Sequence, residues 1–186
     1  MSFIFCDGNK DKLVDFLSRK DSWSDIELTL TNGSEKKILY VHKNILKNCR
    51  YFEGTFSFYE NSYEYDNIEI EVPHINIACD IIYSLYGIKL PELSDWKYKI
   101  HLHLLQEFFL LQPISVSDLE IPENDFESLI NEIISFGHTD QIVKLIFNNM
   151  PESFDVEKIP QNILEIIFNS NKKIYQILDK IKNAIH

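Results

Sequence analysis

The sequence is short of cysteine: Cys6, Cys49 and Cys79 are all it has in 186 residues. An odd number cannot all pair within one chain, and none sits in a Cys-x-x-Cys spacing. A disulfide framework is therefore not expected, and a reducing compartment is. Glycine (5) and proline (6) are equally scarce, which excludes a loop-rich or fibrous protein. Basic residues are outnumbered, with Lys+Arg 18 against Asp+Glu 29 and a formal net charge of −11. Charge of that sign repels a phosphate backbone, and no basic stripe interrupts it, so nucleic acid is not an expected partner. No window approaches roughly 18 uncharged apolar residues, so no membrane span is expected. The opening MSFIFCDGNK has neither a basic start nor a long apolar run and does not read as a signal peptide.

What is present is apolar material in periodic runs. Hydrophobic residues make up 45% of the chain, enough to bury a core. Residues 11–18, DKLVDFLS, suit a short helix with Leu13, Phe16 and Leu17 on one side, too short to stand alone in water. Ile26, Leu28 and Leu30 alternate with Glu27, Thr29 and Thr31, the period of a half-buried strand. Asn32-Gly33 follows, suited to a tight hairpin turn, and Leu39 and Val41 resume the apolar face. As the start of the glycosylation sequon Asn32-Gly33-Ser34 it reads as a turn instead. HKNILKNC and YFEGTFSFY predict two short helices with Ile45, Leu46, Phe52 and Phe56 inward. NIEIEV predicts a third strand, ended by Pro73. INIACDIIYSLYG predicts a helix with Ile77, Ile81, Ile82 and Leu85 as its stripe, and DWKYKIHLHLLQEFFLL another that stops before Pro113.

From there the pattern is only helical. DFESLINEIISFG sets Phe126, Leu129, Ile130, Ile133 and Ile134 on one face. TDQIVKLIFNNMP opens on a capping threonine. PQNILEIIFNSN repeats its pattern, and KKIYQILDKIKNAI closes the chain. A small sheet with helices massed around it is an α+β arrangement. The composition shifts near residues 112–125, which places a boundary there.

Chemistry is sought first in YVHKNILKNCRYFEGTF, where His42 and Cys49 stand seven residues apart. On one continuous helix that gap is two turns, about 10.5 Å, too far for a nucleophile and its base. A buried thiol and a histidine at a strand-to-helix junction is the expected arrangement. His101 and His103 are two apart on a helix and point away from each other, so they are not expected to share a metal. No phosphate-binding glycine loop or metal-ligand spacing is present. No catalytic residue, metal or cofactor is expected. Tyr59 to Glu71 carries five acids and no base, the pattern of a solvated acidic face.

Several motifs stand in an order that resembles the BTB/POZ domain. They are Ser24-Asp25-Ile26, His42-Lys43-Asn44-Ile45-Leu46, and Cys49-Arg50-Tyr51-Phe52 with Phe56. The later run LPELSDWKYKIHLHLLQEFFLL is similar to giant-virus, mimivirus-type BTB/POZ proteins. The resemblance covers roughly residues 22–112. It implies a small sheet of three or more strands surrounded by helices over residues 1–112, and an all-helical extension, BACK-like or cullin-box-like, over 113–186. It implies a protein-interaction module rather than an enzyme, acting in the host cytoplasm if viral. It implies a homodimer whose interface uses Leu13, Phe16 and Leu17, with Asp25 and Lys43 lining a charged pocket; a local surface pair is the simpler reading of those two. BTB adaptors for the cullin-3 ubiquitin ligase carry a hydrophobic-x-Glu motif after the second of these helices. Phe58-Tyr59-Glu60 fits that pattern but sits closer to Phe56 than is usual. A viral scaffold or decoy, dimerising or pairing with host BTB proteins without a ligase, stands as the alternative. The partner itself is not named by the sequence.

Overall fold

A computed structural model describes residues 9–59 and 66–165. The chain divides into two compact units that part between Ile114 and Ser115.

The first unit opens with α1 (Lys10–Leu17), started by Asn9, whose side chain accepts the Lys12 N–H. A three-stranded sheet follows, built from β1 (Ile26–Thr31), β2 (Lys36–Val41) and β3 (Asn67–Glu71) in the order β2-β1-β3. β1 runs antiparallel to β2, with Leu28 opposite Leu39, and parallel to β3, with Leu28 opposite Ile68. The alternation read from the sequence therefore puts Ile26, Leu28, Leu30, Leu39, Val41, Ile68, Ile70 and Val72 into one buried layer. The β1–β2 connection is longer than a two-residue turn. Residues 32–35 form it, and the Asn32 side chain accepts the N–H groups of Ser34 and Glu35. Of that pair only Gly33 is left-handed, at φ +87.

Four helices surround the buried layer: α2 (Lys43–Leu46), α3 (Arg50–Tyr59), α4 (Ile75–Leu85) and α5 (Trp96–Phe108). The helix expected to run from His42 to Cys49 stops at Leu46, and Cys49 lies in the turn before α3. α5 begins on the Asp95 cap and ends before Phe109, earlier than Pro113 would require. Its end is a Schellman turn: Leu110 N–H reaches the Glu107 carbonyl at 2.9 Å and Leu111 N–H the Gln106 carbonyl at 2.8 Å. Glycine usually takes the left-handed position of that turn, but here Leu110 does, at φ 54. The two stretches richest in motif residues pack on each other: Phe52 stacks on Phe109 at 5.7 Å, and Tyr51 meets Phe108 at 5.1 Å.

The second unit contains α6 (Phe126–Phe136) and α7 (Asp140–Asn149), with single 3-10 turns at Glu123–Asp125 and Val156–Lys158. Phe126, Leu129, Ile130 and Ile133 are buried, as their spacing predicts. Ile134, placed on the same stripe by spacing, is 54% exposed, because it sits at the edge of the arc that packs. Residues 161–165 start a further helical turn; the rest of that expected helix and the closing one lie outside the described residues.

Candidate functional site

His42 and Cys49 are held by different partners. The backbone N–H of His42 donates to the Tyr86 hydroxyl at 2.9 Å, and that hydroxyl lies 2.9 Å from the His42 Nδ1. The one hydroxyl thus serves both the backbone and the ring of His42. Phe16 stacks on the imidazole at 5.6 Å, with the planes 1° apart. Cys49 is fully buried, and its Sγ donates to the Phe109 carbonyl at 3.0 Å. Burial raises the Cys49 thiol pKa against a smaller opposing pull from the Phe52 and Tyr51 N–H groups. A thiol held protonated is a poor nucleophile. Sequence spacing separated these residues by assuming one continuous helix; the actual cause is that each side chain is committed elsewhere.

The residues expected at a dimer interface divide into two groups. Leu13 and Leu17 are fully enclosed in the chain's own core, so the apolar side of α1 leaves water without a second copy. Phe16 is half-buried against His42. Asp25 and Lys43 do meet, through the Lys43 N–H donating to the Asp25 carboxylate at 2.6 Å. The aspartate thus caps α2. The Lys43 ammonium lies over the Phe56 ring, 5.1 Å from its centroid. The most exposed of the aromatics that sequence reasoning missed is Trp23. Trp23 is 76% exposed on a turn fixed by Asp21, whose carboxylate accepts the Trp23 and Ser24 N–H groups. The Asp-x-x-Ser spacing of that turn was its only signal.

Phe58 stands near the C-terminal end of α3, 80% exposed. Tyr59 ends the helix, and Glu60 lies outside the described residues. Two turns back on the same helix, Tyr51 leans on Phe108, which is 43% exposed, and Leu110 just beyond it is 60% exposed. α3 and the end of α5 therefore both offer apolar surface to solvent.

Behind α1 a carboxylate ties three helices. Asp80 of α4 accepts from the Lys10 ammonium at 2.6 Å and from the Tyr98 hydroxyl at 3.1 Å. Tyr98, with its pKa raised by burial and then by Asp80, also lines an open groove of about 480 Å³ with Leu90, Leu93 and Leu102. His101 and His103 separate as expected: His103 meets the Ile114 carbonyl at 2.7 Å, while His101 faces the ring of His74 at 3.7 Å between centroids.

No family model matches the chain. A mimivirus protein of uncharacterised function (Acanthamoeba polyphaga mimivirus) is 94% identical over 186 residues, 100% of both chains. A protein of the same virus named for a BTB/POZ domain is 32% identical over 168 residues, 89% of this chain and 33% of its own. Another, named for a BTB/POZ domain with WD repeats, is 32% identical over 159 residues, 84% of this chain and 30% of its own. The chain spans about a third of the length of these BTB/POZ relatives.

Proposed function

Because the chain belongs to the BTB/POZ family, we propose that it is a self-associating interaction module that also serves as an adaptor for a cullin-3 ubiquitin ligase. The observation behind the ligase half is Phe58, an aromatic left 80% exposed at the end of α3. Interface energy concentrates in such anchors, and the neighbouring charges mainly steer the approach. The strained, exposed Leu110 beside Phe108 gives a second apolar point, and strain of this kind is kept where it serves a task. Neither the thiol nor the histidines enter as catalysts in this reading. The site of action is the host cytoplasm.

Self-association is assigned to the surface that carries Phe16, Asp25 and Lys43, with Trp23 as an added anchor. Leu13 and Leu17 support that surface from within. Deleting the first twenty residues would open the core, so single surface changes are the usable test. In light scattering at micromolar concentrations the full chain should run as a dimer, and Trp23→Ala or Lys43→Glu should shift it toward monomer. A wild-type monomer would sink the idea.

The adaptor reading is tested by titrating the chain with the N-terminal domain of cullin-3. Phe58→Ala should weaken binding by about 2 kcal/mol, roughly thirtyfold. Glu60→Ala should weaken it less, through the on-rate. The tight spacing of Phe58 to Phe56 favours a second reading, a scaffold or decoy that pairs with host BTB proteins without a ligase. Absence of binding by the wild type would leave that one standing.

A further inference from the structure

His74 and His101 are 27 residues apart in sequence and meet between α4 and α5. His74 follows Pro73, whose ring fixes the backbone entering α4. It occupies the N-cap position of α4, yet its side chain makes no capping bond there. The imidazole turns to α5 instead, where His101 is only 5% exposed. The ring centroids are 3.7 Å apart and the planes tilt by 49°. Ordinary aromatic pairs keep their centroids about 4.5–7 Å apart. The two imidazoles are therefore in direct, tilted contact. Each offers one ring nitrogen, and those nitrogens lie within 4.8 Å of each other.

We propose that His74 and His101 are the protein's ligands in a site for a borderline-soft divalent transition metal, zinc before nickel or copper. A tetrahedral ion bound at about 2.0–2.1 Å to each imidazole holds its two nitrogens roughly 3.3 Å apart. The nitrogens lie within 4.8 Å of each other, and the imidazoles must swing apart about their side-chain torsions to take that geometry, since a shared ion sets the ring centroids about 5 Å apart. Imidazole donors select this class over magnesium or calcium, which want oxygen cages. The net charge of −11 raises the local cation concentration. The remaining coordination positions fall to oxygen donors, water among them. The bound ion would clamp the start of α4 to the middle of α5, so its effect would be structural. Neither His101-x-His103 nor any ligand spacing within one element announces the pair; only the packing of α4 on α5 creates it.

The probe is zinc chloride added to the full chain after chelator treatment, with binding followed by calorimetry and thermal melting. One equivalent should bind with a dissociation constant on the order of micromolar, and excess zinc should raise the melting temperature by several degrees. His74→Gln and His101→Asn should each weaken binding at least about tenfold, while His138→Gln leaves it unchanged. His101 is buried, so its variant carries the risk of poor folding. For that reason the wild type is also titrated with copper(II), and the imidazole signals of His74 and His101 should broaden first. Failure of the wild type to bind a stoichiometric equivalent of zinc at submillimolar concentration would overturn the proposal. So would zinc binding that survives both substitutions, or broadening confined to other histidines.

Discussion

Cys49 shows how one residue's chemistry is settled by its neighbours. Its thiol is fully enclosed, hydrogen-bonded to Phe109 and held above its usual pKa by burial. An acidic group with a raised folded pKa is stabilising below its unfolded value of 9.0 and loses that contribution as pH rises through the folded one. Cys49 and Cys79 should therefore resist thiol reagents at mildly alkaline pH in the native chain and react together on unfolding, as read by mass spectrometry. Fast labelling of Cys49 in folded protein would contradict this account. Tyr86 is a second case, because one hydroxyl serves both the His42 backbone and its ring. Tyr86→Phe leaves those groups unmatched and should lower unfolding stability by about 1–3 kcal/mol in a denaturant titration. Asp80→Asn weakens the hub of Lys10 and Tyr98. Its cost should be smaller, about 0.5–1 kcal/mol, because the Lys10 side chain is 46% exposed and stays hydrated when its partner loses charge.

Among the elements, α5 is the one whose end depended on more than sequence. Its apolar run continues toward Pro113, and nothing in that run signals a stop at Phe108. The stop comes from Phe109 turning in against Phe52 and Tyr51, which forces Leu110 into the left-handed region. A leucine there costs about 1–2 kcal/mol in local strain. Leu110→Gly should thus be neutral or stabilise by up to about 1 kcal/mol, after glycine's own entropy is charged against it. Leu110→Val should destabilise, since a branched β-carbon fits that conformation worst. Thermal melts of the two variants separate these outcomes, and equal loss in both would show that the Leu110 side chain, not its backbone, matters. In α2 the helix stops early, at Leu46. The chain turns through residues 47–49, and from that turn Cys49 reaches the Phe109 carbonyl.

For the molecule as a whole, the strands were legible because period-2 patterning at Ile26 to Leu30 and at Ile68 to Val72 admits one face to the core. The family motifs were legible because Tyr51, Phe52, Phe56 and Phe109 are large aromatics at fixed spacing. The proposed interaction surface was legible only in part. Phe58 stood out as an aromatic beside an acidic run, but Trp23 and the exposed end of α5 did not. Exposure is a property of what fails to pack, and no single element reports it. Among the described residues no helix is long and apolar enough to cross a membrane, as the broken apolar runs suggest.

The sequence by itself determined the α+β class, the strand faces, the inward side of α1 and the helices α6 and α7. Each follows from a periodicity of two or of three to four that local geometry converts directly into a face. Tertiary structure alone decided what that inward side of α1 packs on. Leu13 and Leu17 are expected at a dimer interface, and the space beneath α1 encloses them in the chain's own core. It alone brought His74 to His101 and Asp80 to Lys10 and Tyr98, pairings whose sequence separations exceed any local rule. The physical reason is the same in each case. A side chain's partner across two elements depends on where both backbones go, and that is fixed by the packing of all the others.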